Sequence, residues 1–517
     1  MKLNRIALAA AALACAPAAF ALTPGQIDGT TARLWLSGAS APTASVYKGV
    51  LTLCQGMTYK DAQGATHTNP GARDAHLYLE ATNAGRLPGA AGDRMAYTCT
   101  VNTDDGRAGS LEGKKVVVFH TVEGGSFNYV TPHISILGEV NPNLPGNLRR
   151  TSNIEGLAAA GQCAAGAAES VTIELSGLNN PGVGVYRGCA TTLQTFTAGQ
   201  ALRANVFAAP DRPEGGFSDT EYVINKLNLD VATDISAIGG EVPTNIGQVF
   251  GPAVSYPLYY QLQQNDIAAG KIAATCDDAP FTAASPNLTG ACQPNLAAST
   301  YTAIANVDNI AYVDATLFGA ASATPPGTSG KIQLERRAIT SGTQSASNLR
   351  FLNKPCATGT AQGALNPART ANSTARVDVA ENSSTGGVKT GLTNATNAGE
   401  FGLGWVSMEN VPVAGTDKWA FTKLDGVSPN FTTTGAVDAK QRANAMDGTY
   451  TAWYELVAFT AATAFPEGVD LIASVNTSLG NPGITDLTGL FITPVAGVTG
   501  GNVGKTARIG NSCQPAF

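Results

Sequence analysis

The chain has 517 residues, a net charge of −6 at pH 7 and only 14% charged residues. This length is sufficient for two or three domain-sized units, each with its own apolar core. The negative charge argues against nucleic acid or an anionic membrane surface as the partner. The abundance of small and neutral polar residues is typical of a secreted, loop-rich globular protein.

The N-terminus has the features of an export signal. Lys2 and Arg5 precede an apolar run over residues 6–19, and Ala19 and Ala21 supply the small side chains that favour signal cleavage. The run is too short for a membrane span. We therefore predict that residues 1–21 are a signal peptide and that the mature protein is periplasmic or secreted and soluble.

The cysteines agree with export. Nine are present, and removal of Cys15 with the signal leaves an even set of eight, which in an exported chain indicates disulfide bonds. Many pairings are possible, but loop lengths favour sequential ones: Cys54–Cys99, Cys163–Cys189, Cys276–Cys292 and, by elimination, Cys356–Cys513. No two cysteines have the spacing of a zinc motif and the histidines do not cluster with them, so we expect no metal site and no cofactor.

Small-residue loops follow apolar segments at several points along the chain. Residues 31–36 predict a strand, Ser40 and Pro42 suit the start of a helix, and residues 43–51 predict that helix. A buried-type strand over residues 116–120 precedes Gly124-Gly125-Ser126. An apolar segment at 235–238, which we interpret as a strand, precedes Gly239-Gly240-Glu241-Val242-Pro243. Such loops suit a cleft that binds its ligand through backbone N–H groups and hydroxyls.

The most informative loop follows a predicted strand at residues 331–335. Arg337 is followed by Ser341-Gly342-Thr343, and residues 344–349 can start a helix. Unpaired N–H groups at a helix N-terminus, the helix dipole and two hydroxyls together form an anion cradle. Arg337 could add a planar, bidentate cationic fork. Alternatively, Thr340 or Ser341 only caps the helix and Arg337 lies in solvent.

These motifs resemble those of the substrate-binding proteins of phosphate ABC transporters and related secreted phosphate-binding proteins. Arg337-x-x-x-Ser341-Gly342-Thr343 is the most specific match, and the spacing departs from the family because long inserts separate the first three loops. The matching segments occur in family order: Gly38-Ala39-Ser40-Ala41-Pro42, Gly124-Gly125-Ser126, Gly240-Glu241-Val242-Pro243, the Arg337 motif, residues 399–406 and residues 419–429.

The resemblance implies an α/β, two-lobed periplasmic-binding-protein fold of type II, with two crossover segments and the ligand cleft between the lobes. Lobe one would hold residues 22–250 and 450–517, including cysteine-stapled inserts at 54–115 and 127–230. Lobe two would hold residues 251–449. We expect a mostly parallel sheet in each lobe, and closure of the lobes on a ligand that contacts both.

The resemblance also implies a set of ligand contacts. The implied contacts are Ser40, Ala41 through its N–H, Ser126, Glu241, Arg337, Ser341, Gly342 and Thr343. Glu241, where the family has Asp, would accept a hydrogen bond only from a protonated anion and would favour hydrogen phosphate over sulfate.

The Ser/Thr/Asn-rich stretch that contains Asn382 is a separate case, and we interpret it as a solvated loop.

The sequence therefore predicts an exported solute-binding protein for phosphate or a similar small oxyanion, with an inner-membrane ABC permease as a possible partner and no enzymatic activity. The alternative is a secreted surface or matrix protein that keeps the two-lobed scaffold without transport, since the long inserts are unusual for a transport component. A hydrolase that uses Ser341 or Ser40 ranks last, because neither serine has an evident base.

Overall fold

The computed structural model describes residues 22, 24–80, 94–103, 106–139, 141, 144, 146–152, 154, 163, 168–277, 285–306, 313–370, 376–481, 483–484, 488–498 and 501–515. The predicted signal peptide, residues 1–21, lies outside the described residues. Among the helices of the described segments, none is both long enough and apolar enough to cross a membrane.

The described helices are mostly short and lie between the strands. They are α1 (Thr43–Leu51), α2 (Thr131–Ile136), α3 (Tyr222–Asn228), α4 (Tyr256–Ala268), α5 (Ala298–Ala305), α6 (Gly342–Leu352), α7 (Thr385–Asn397), α8 (Ala443–Met446) and α9 (Pro466–Leu479).

The strands before residue 200 are β1 (Ala32–Gly38), β2 (Thr58–Lys60), β3 (Thr66–Thr68), β4 (His76–Leu79), β5 (Arg94–Thr100), β6 (Lys115–Thr121), β7 (Asn147–Thr151), β8 (Glu169–Leu175), β9 (Leu178–Arg187) and β10 (Thr191–Thr195). The later strands are β11 (Gly215–Ser218), β12 (Gly239–Ser255), β13 (Asn295–Leu296), β14 (Ile332–Arg337), β15 (Val377–Asn382), β16 (Phe401–Ser407), β17 (Trp419–Phe421), β18 (Lys423–Leu424), β19 (Trp453–Ala461) and β20 (Leu490–Ile492).

A 14-stranded sheet runs through the molecule in the order β15-β14-β16-β12-β19-β11-β1-β6-β5-β4-β9-β8, with β17 and β20 also paired to β12. The long strand β12 joins its two ends. Its first part, up to Val249, pairs with β19, and its second part, from Phe250, pairs with β16. The predicted α/β fold class is confirmed.

The strands pair both in parallel and antiparallel, and the parallel pairs include β4 with β9 and β13 with β18. β1 pairs in parallel with β11 and β6, which we call the first strand group. β14 pairs in parallel with β15 and β16, the second strand group. Many other pairs, including β12 with β19 and β5 with β6, are antiparallel. The sheet as a whole is therefore mixed, and the expectation of a mostly parallel sheet in each lobe is wrong for the range 22–250, where antiparallel pairs predominate.

Separate apolar clusters form on the two sides of Val249. One contains Leu34 and Val46 together with Leu471, so that α1 packs on α9 beside the first strand group. The other contains Leu334 and Trp405 and packs α4 to α6 on the second strand group. The division into two lobes at residues 250 and 450 is compatible with these clusters and stays a prediction.

Most predicted elements near the four loops are present, and α1 has the predicted bounds. Two interpretations are wrong. The stretch around Asn382 forms β15 and α7 instead of a solvated loop, and residues 235–237 form a single 3-10 turn before β12 instead of a strand before a loop. In addition, β11 lies at the centre of the sheet, although it falls within the range 127–230 that we interpret from the sequence as an insert.

The structure contains all four disulfide bonds of the predicted pairing: Cys54–Cys99, Cys163–Cys189, Cys276–Cys292 and Cys356–Cys513. Four disulfides fit a protein that matures in an oxidising compartment.

Candidate functional site

The loops at the carboxyl ends of the two strand groups face each other across a cleft of about 1010 Å³. The loops after β1, β6 and β11 form one wall, and the loops after β14, β15 and β16 form the other. Ligands of open α/β sheets bind outside the carboxyl ends of the strands, so this cleft is the candidate site. It is lined by six of the residues predicted as ligand contacts: Ser40, Ala41, Ser126, Arg337, Ser341 and Thr343.

Gly38 fixes the loop that follows β1. Its φ of +121° lies in the region that favours glycine, and a Cβ atom here would lie 2.0 Å from the carbonyl oxygen of Phe217 in β11. The N–H of Ala39 donates a hydrogen bond to the same oxygen at 2.7 Å. This close approach of the two strands brings Ser40 and Ala41 to the cleft wall.

The loop after β6 contacts the opposite wall directly. The N–H of Phe127 donates to the carbonyl oxygen of Thr340 at 3.1 Å, and the Thr340 hydroxyl donates to the carbonyl oxygen of Gly124 at 2.7 Å. A Cβ atom at Gly125 would lie 2.7 Å from the Thr340 oxygen, so glycine is required for this contact. Ser126 follows immediately and lines the cleft.

The N-terminus of α6 opens into the cleft. Ser341 is its N-cap residue, is only 2% exposed, and makes no side-chain capping bond. The N–H of Gly342 donates to the hydroxyl of Ser126 across the cleft at 3.1 Å. The N–H groups of the first helical turn have no partner within the helix, and the helix dipole adds positive charge there. Together with Thr343, this arrangement has the composition of the predicted anion cradle.

Arg337 is the last residue of β14 and lines the cleft. Its Nη1 donates to the hydroxyl of Thr385 at 2.7 Å, and its Nη2 donates to the carbonyl oxygen of Ser383 at 3.1 Å. Its backbone N–H donates to the side-chain oxygen of Gln344 at 3.1 Å. These bonds fix a positive charge between the N-termini of α6 and α7.

Asp219, which the sequence analysis missed, is the acidic group in this part of the cleft. It directly follows β11 and is 5% exposed. Its Oδ2 accepts a hydrogen bond from the Ser126 hydroxyl at 2.8 Å, and its Oδ1 is buried without a hydrogen-bond partner. Burial raises the pKa of Asp219, while the bond from Ser126 and the charge of Arg337 oppose that rise. The unpartnered oxygen is an acceptor for a ligand that carries a hydrogen-bond donor.

The loop between β15 and α7 adds a second helix N-terminus to the cleft. The Ser384 hydroxyl accepts a hydrogen bond from the N–H of Gly387 at 3.2 Å and so caps α7. Thr385 and Lys389 line the cleft from the same helix. The order of strand, Ser383-Ser384-Thr385 loop and helix is the same as around Ser341. This repeated pattern is the sequence signal that could have identified Thr385 and Lys389.

A second acidic group, Glu409, follows β16. Its carboxylate accepts hydrogen bonds from the Ser407 hydroxyl at 2.7 Å, from Asn410 Nδ2 at 3.1 Å and from Gln248 Nε2 at 3.1 Å. Burial raises the pKa of Glu409, the bond from Ser407 lowers it, and the nearby charge of Asp219 raises it further. The cleft therefore contains two carboxyl groups that influence each other.

Glu241 is not brought to the cleft. It lies in β12, opposite Phe459 of β19, and its carboxylate accepts hydrogen bonds from the Tyr129 hydroxyl at 2.7 Å and from the N–H of Tyr222 at 3.0 Å. Burial raises the pKa of Glu241 to about 7, although these hydrogen bonds lower it in part. Because the segment is a strand and not a loop, the structure gives Glu241 no direct contact with the cleft.

Charged residues of both signs line the cleft. The cations are Arg94, Arg337 and Lys389, and the acids are Glu123, Asp219 and Glu409. Without an excess of positive charge, the cleft would bind an anion through directed hydrogen bonds more than through a diffuse field. Within the described segments, no group of three or more His, Cys, Asp or Glu side chains is arranged to hold a metal ion.

Comparisons with known proteins give little similarity. No family model and no curated protein matches the chain. Among solved structures, it is similar to one described as a phosphate ABC transporter substrate-binding protein with bound phosphate from Clostridium perfringens. That alignment has 11% identity and a TM-score of 0.27, and it covers 50% of this chain and 79% of the other.

The chain is also similar to a structure described as a phosphate-binding protein from Planctomyces limnophilus. This alignment has 12% identity and a TM-score of 0.24, and it covers 50% of this chain and 70% of the other. At these values neither likeness bears on what the cleft binds, and the geometry of the cleft is the basis for a function.

Proposed function

We propose that the protein is a binding protein for phosphate or a similar small oxyanion and that the cleft is its binding site. One observation carries the proposal: Ser126 links the N-terminus of α6 to Asp219 across the cleft. Its hydroxyl accepts from the N–H of Gly342 and donates to Asp219. Backbone donors, hydroxyls, the Arg337 charge and an unpartnered carboxylate oxygen then lie together in the cleft at the N-terminus of α6.

Each part of this arrangement suits a protonated oxyanion. The first turn of α6, Ser341 and Thr343 supply donors to the ligand oxygens, and Arg337 supplies the charge. Asp219 accepts a hydrogen bond from a ligand hydroxyl, which hydrogen phosphate has and sulfate lacks. The selective role predicted for Glu241 is thus assigned to Asp219.

The biological context of the proposal comes from the sequence resemblance. An exported oxyanion-binding protein would deliver its ligand to an ABC permease in the inner membrane. A surface or matrix protein that retains the cleft is the alternative, and it would bind no oxyanion. Binding rather than catalysis is proposed because the described residues that line the cleft include no histidine to serve as a base for Ser341 or Ser40.

Calorimetric titration of the purified mature protein with phosphate, sulfate and small carboxylates tests the proposal. We expect phosphate to bind and Arg337→Ala to weaken binding by roughly 2–5 kcal/mol, because a charge-assisted contact in a closed site is lost. The exposed Arg376 gives a matched control, Arg376→Ala, outside the cleft. No heat with any anion, or equal affinities of the wild type and Arg337→Ala, would overturn the assignment.

A further inference from the structure

The cleft is much larger than the ligand that the anion cradle alone would hold. Its volume is about 1010 Å³. A bare tetrahedral oxyanion needs the room of a few water molecules, roughly 30 Å³ each, whereas sites for organic ligands commonly span about 300–1,000 Å³. Either the two walls close on a small oxyanion, or the ligand has an organic part in addition to the oxyanion.

Several hydrogen bonds already join the two walls and oppose their separation. At the base of the cleft, Thr340 bonds to the loop after β6. Beside it, α6 packs on α3: the Ser345 hydroxyl donates to Asn225 Oδ1 at 2.8 Å, and Asn348 Nδ2 donates to Asn228 Oδ1 at 3.0 Å. All four side chains of this α3–α6 seam are buried, so breaking these bonds would leave polar atoms unsatisfied.

A disulfide bond adds a covalent tie near the same seam. Cys356, just after α6, is bonded to Cys513 in the C-terminal segment. That segment is held on the other side, since the N–H of Ser512 donates to Glu221 next to α3, and the N–H of Gly510 donates to Glu455 of β19. The separation of the walls is thus fixed, and the large volume of the cleft is a property of its ligand-binding form.

Beyond the cradle, the cleft presents hydrogen-bond acceptors. A carboxylate has about four acceptor positions, and three donors from Ser407, Asn410 and Gln248 occupy the carboxylate of Glu409. The amide nitrogen of Asn410 is engaged with Glu409 and Ser407, so its side-chain carbonyl is the group that it can offer to a ligand. A neighbouring carboxylate and amide carbonyl suit hydroxyl groups.

The carboxylate of Glu409 disfavours a further anionic group in its part of the cleft. A second phosphate placed against Glu409 and Asn410 would lie beside this charge, and like charges in a site repel strongly. A neutral, hydroxyl-rich part avoids this cost and satisfies the acceptors.

We infer that the ligand is a phosphate monoester of a polyhydroxy compound. Its phosphate lies at the N-terminus of α6 between Ser126 and Arg337, and its hydroxyl-bearing part contacts Glu409 and Asn410. This inference rests on the proposed function and specifies the ligand class of the same site.

Calorimetry of the full mature chain with inorganic phosphate, glycerol 3-phosphate, glucose 6-phosphate and glucose tests the inference. We expect at least one monoester to bind about tenfold or more tightly than inorganic phosphate, and glucose alone to give no heat. Inorganic phosphate that binds as tightly as both monoesters would overturn the inference and leave the proposed function intact. Absence of binding by all four compounds would overturn both.

A variant separates the two parts of the site. Asn410→Ala removes the amide carbonyl beyond the cradle, and we expect it to lower the affinity for the preferred monoester at least about fivefold more than that for inorganic phosphate. The matched control is Asn397→Ala, at the exposed C-terminal end of α7. An equal loss for both ligands, or none, would show that Asn410 does not contact an organic part and would overturn the placement.

Discussion

At the scale of single residues, Asp219 has the most specific role in the cleft. Its Oδ1 is a buried carboxylate oxygen without a hydrogen-bond partner, and its Oδ2 is held by Ser126. A buried polar atom without a hydrogen bond is unfavourable unless a ligand supplies that bond. A ligand with a hydroxyl group does so, and a fully deprotonated anion would instead be repelled.

Asp219→Asn should therefore change selectivity more than it changes folding. The amide offers an N–H where the carboxylate offered only acceptors, so we expect phosphate affinity to fall and sulfate affinity to rise, with a shift in their ratio of about tenfold or more. Titration of both anions at pH 7 measures this. Asp234→Asn, in an exposed turn whose cap bond Asn can also make, is the control. An unchanged ratio in Asp219→Asn would contradict the role.

Glu241 gives a prediction about stability and pH. Burial raises its pKa from 4.5 to about 7 in the folded protein. Between these two values the folded state binds more protons than the unfolded state, so this group makes stability fall as pH rises from about 4.5 to 7 and contributes no further change above that range. Glu241→Gln removes the titration, and the wild type should lose roughly 3 kcal/mol relative to this variant across the range.

Urea unfolding of both proteins at several pH values between 5 and 8 measures the difference. Buried carboxyl groups that do not interact with Glu241, such as Glu335, titrate alike in both proteins and cancel in the comparison. Parallel stability curves for the wild type and Glu241→Gln would mean that Glu241 keeps an ordinary pKa in the folded state.

At the scale of elements, the sequence predicts those with a clear periodic signal. α1 has the predicted bounds because Pro42 and the apolar Val46 and Val50 define its start and its buried face. β6 is a run of β-branched residues that is buried as expected. The loop after β14 follows from Ser341-Gly342-Thr343, since hydroxyl residues and glycine favour a helix start over its interior.

β11 could not be predicted in this way, and Asp219 was missed with it. The strand is Gly-Gly-Phe-Ser, with no alternation and two residues of low strand propensity. Close packing explains the glycines, since a Cβ atom at Gly216 would lie 1.8 Å from the carbonyl oxygen of Ser37. The tight contact that places Asp219 in the cleft thus removes the sequence signal for the strand.

The error at Glu241 has a related cause. Gly239 and Gly240 suggest a loop, but Gly239 lies in β12 against β19, where a Cβ atom would be 2.1 Å from the carbonyl oxygen of Thr460. Glycine that allows two strands to approach closely has the same appearance in a sequence as glycine in a turn. Only the pairing partner distinguishes the two cases.

At the scale of the whole molecule, the disulfide pairing could be predicted and its consequence could not. Sequential pairs follow from loop lengths, and Cys356–Cys513 is the pair that remains, with its cysteines 157 positions apart in the sequence. That this bond ties the two walls of the cleft depends on where the C-terminal segment packs. Its contacts with Glu221 and Glu455 are formed between segments that are distant in sequence.

The Cys356–Cys513 bond between the two walls changes the conformational response that we expect on ligand binding. From the sequence resemblance, the two walls should close when ligand binds. In the structure, the α3–α6 seam and the Cys356–Cys513 bond already hold them together, and a ligand can shift an equilibrium only between states that are both accessible. We therefore expect the radius of gyration from small-angle X-ray scattering to be the same with and without saturating phosphate or glucose 6-phosphate.

Removal of the covalent tie should restore a ligand-dependent change. In the double variant Cys356→Ser/Cys513→Ser only hydrogen bonds, those of the seam and those of Thr340 and Gly342, oppose opening. Loss of the disulfide costs roughly 2–5 kcal/mol of stability. We expect its ligand-free form to have a larger radius of gyration than the wild type and to contract on binding. Cys276→Ser/Cys292→Ser, which opens a local loop beside α4, is the matched control and should scatter like the wild type.

If the Cys356→Ser/Cys513→Ser variant does not fold, mild reduction of the folded wild type provides the same comparison. Contraction of the oxidised wild type on binding would show that the seam and the disulfide do not fix the walls, and the large cleft would then be an open state.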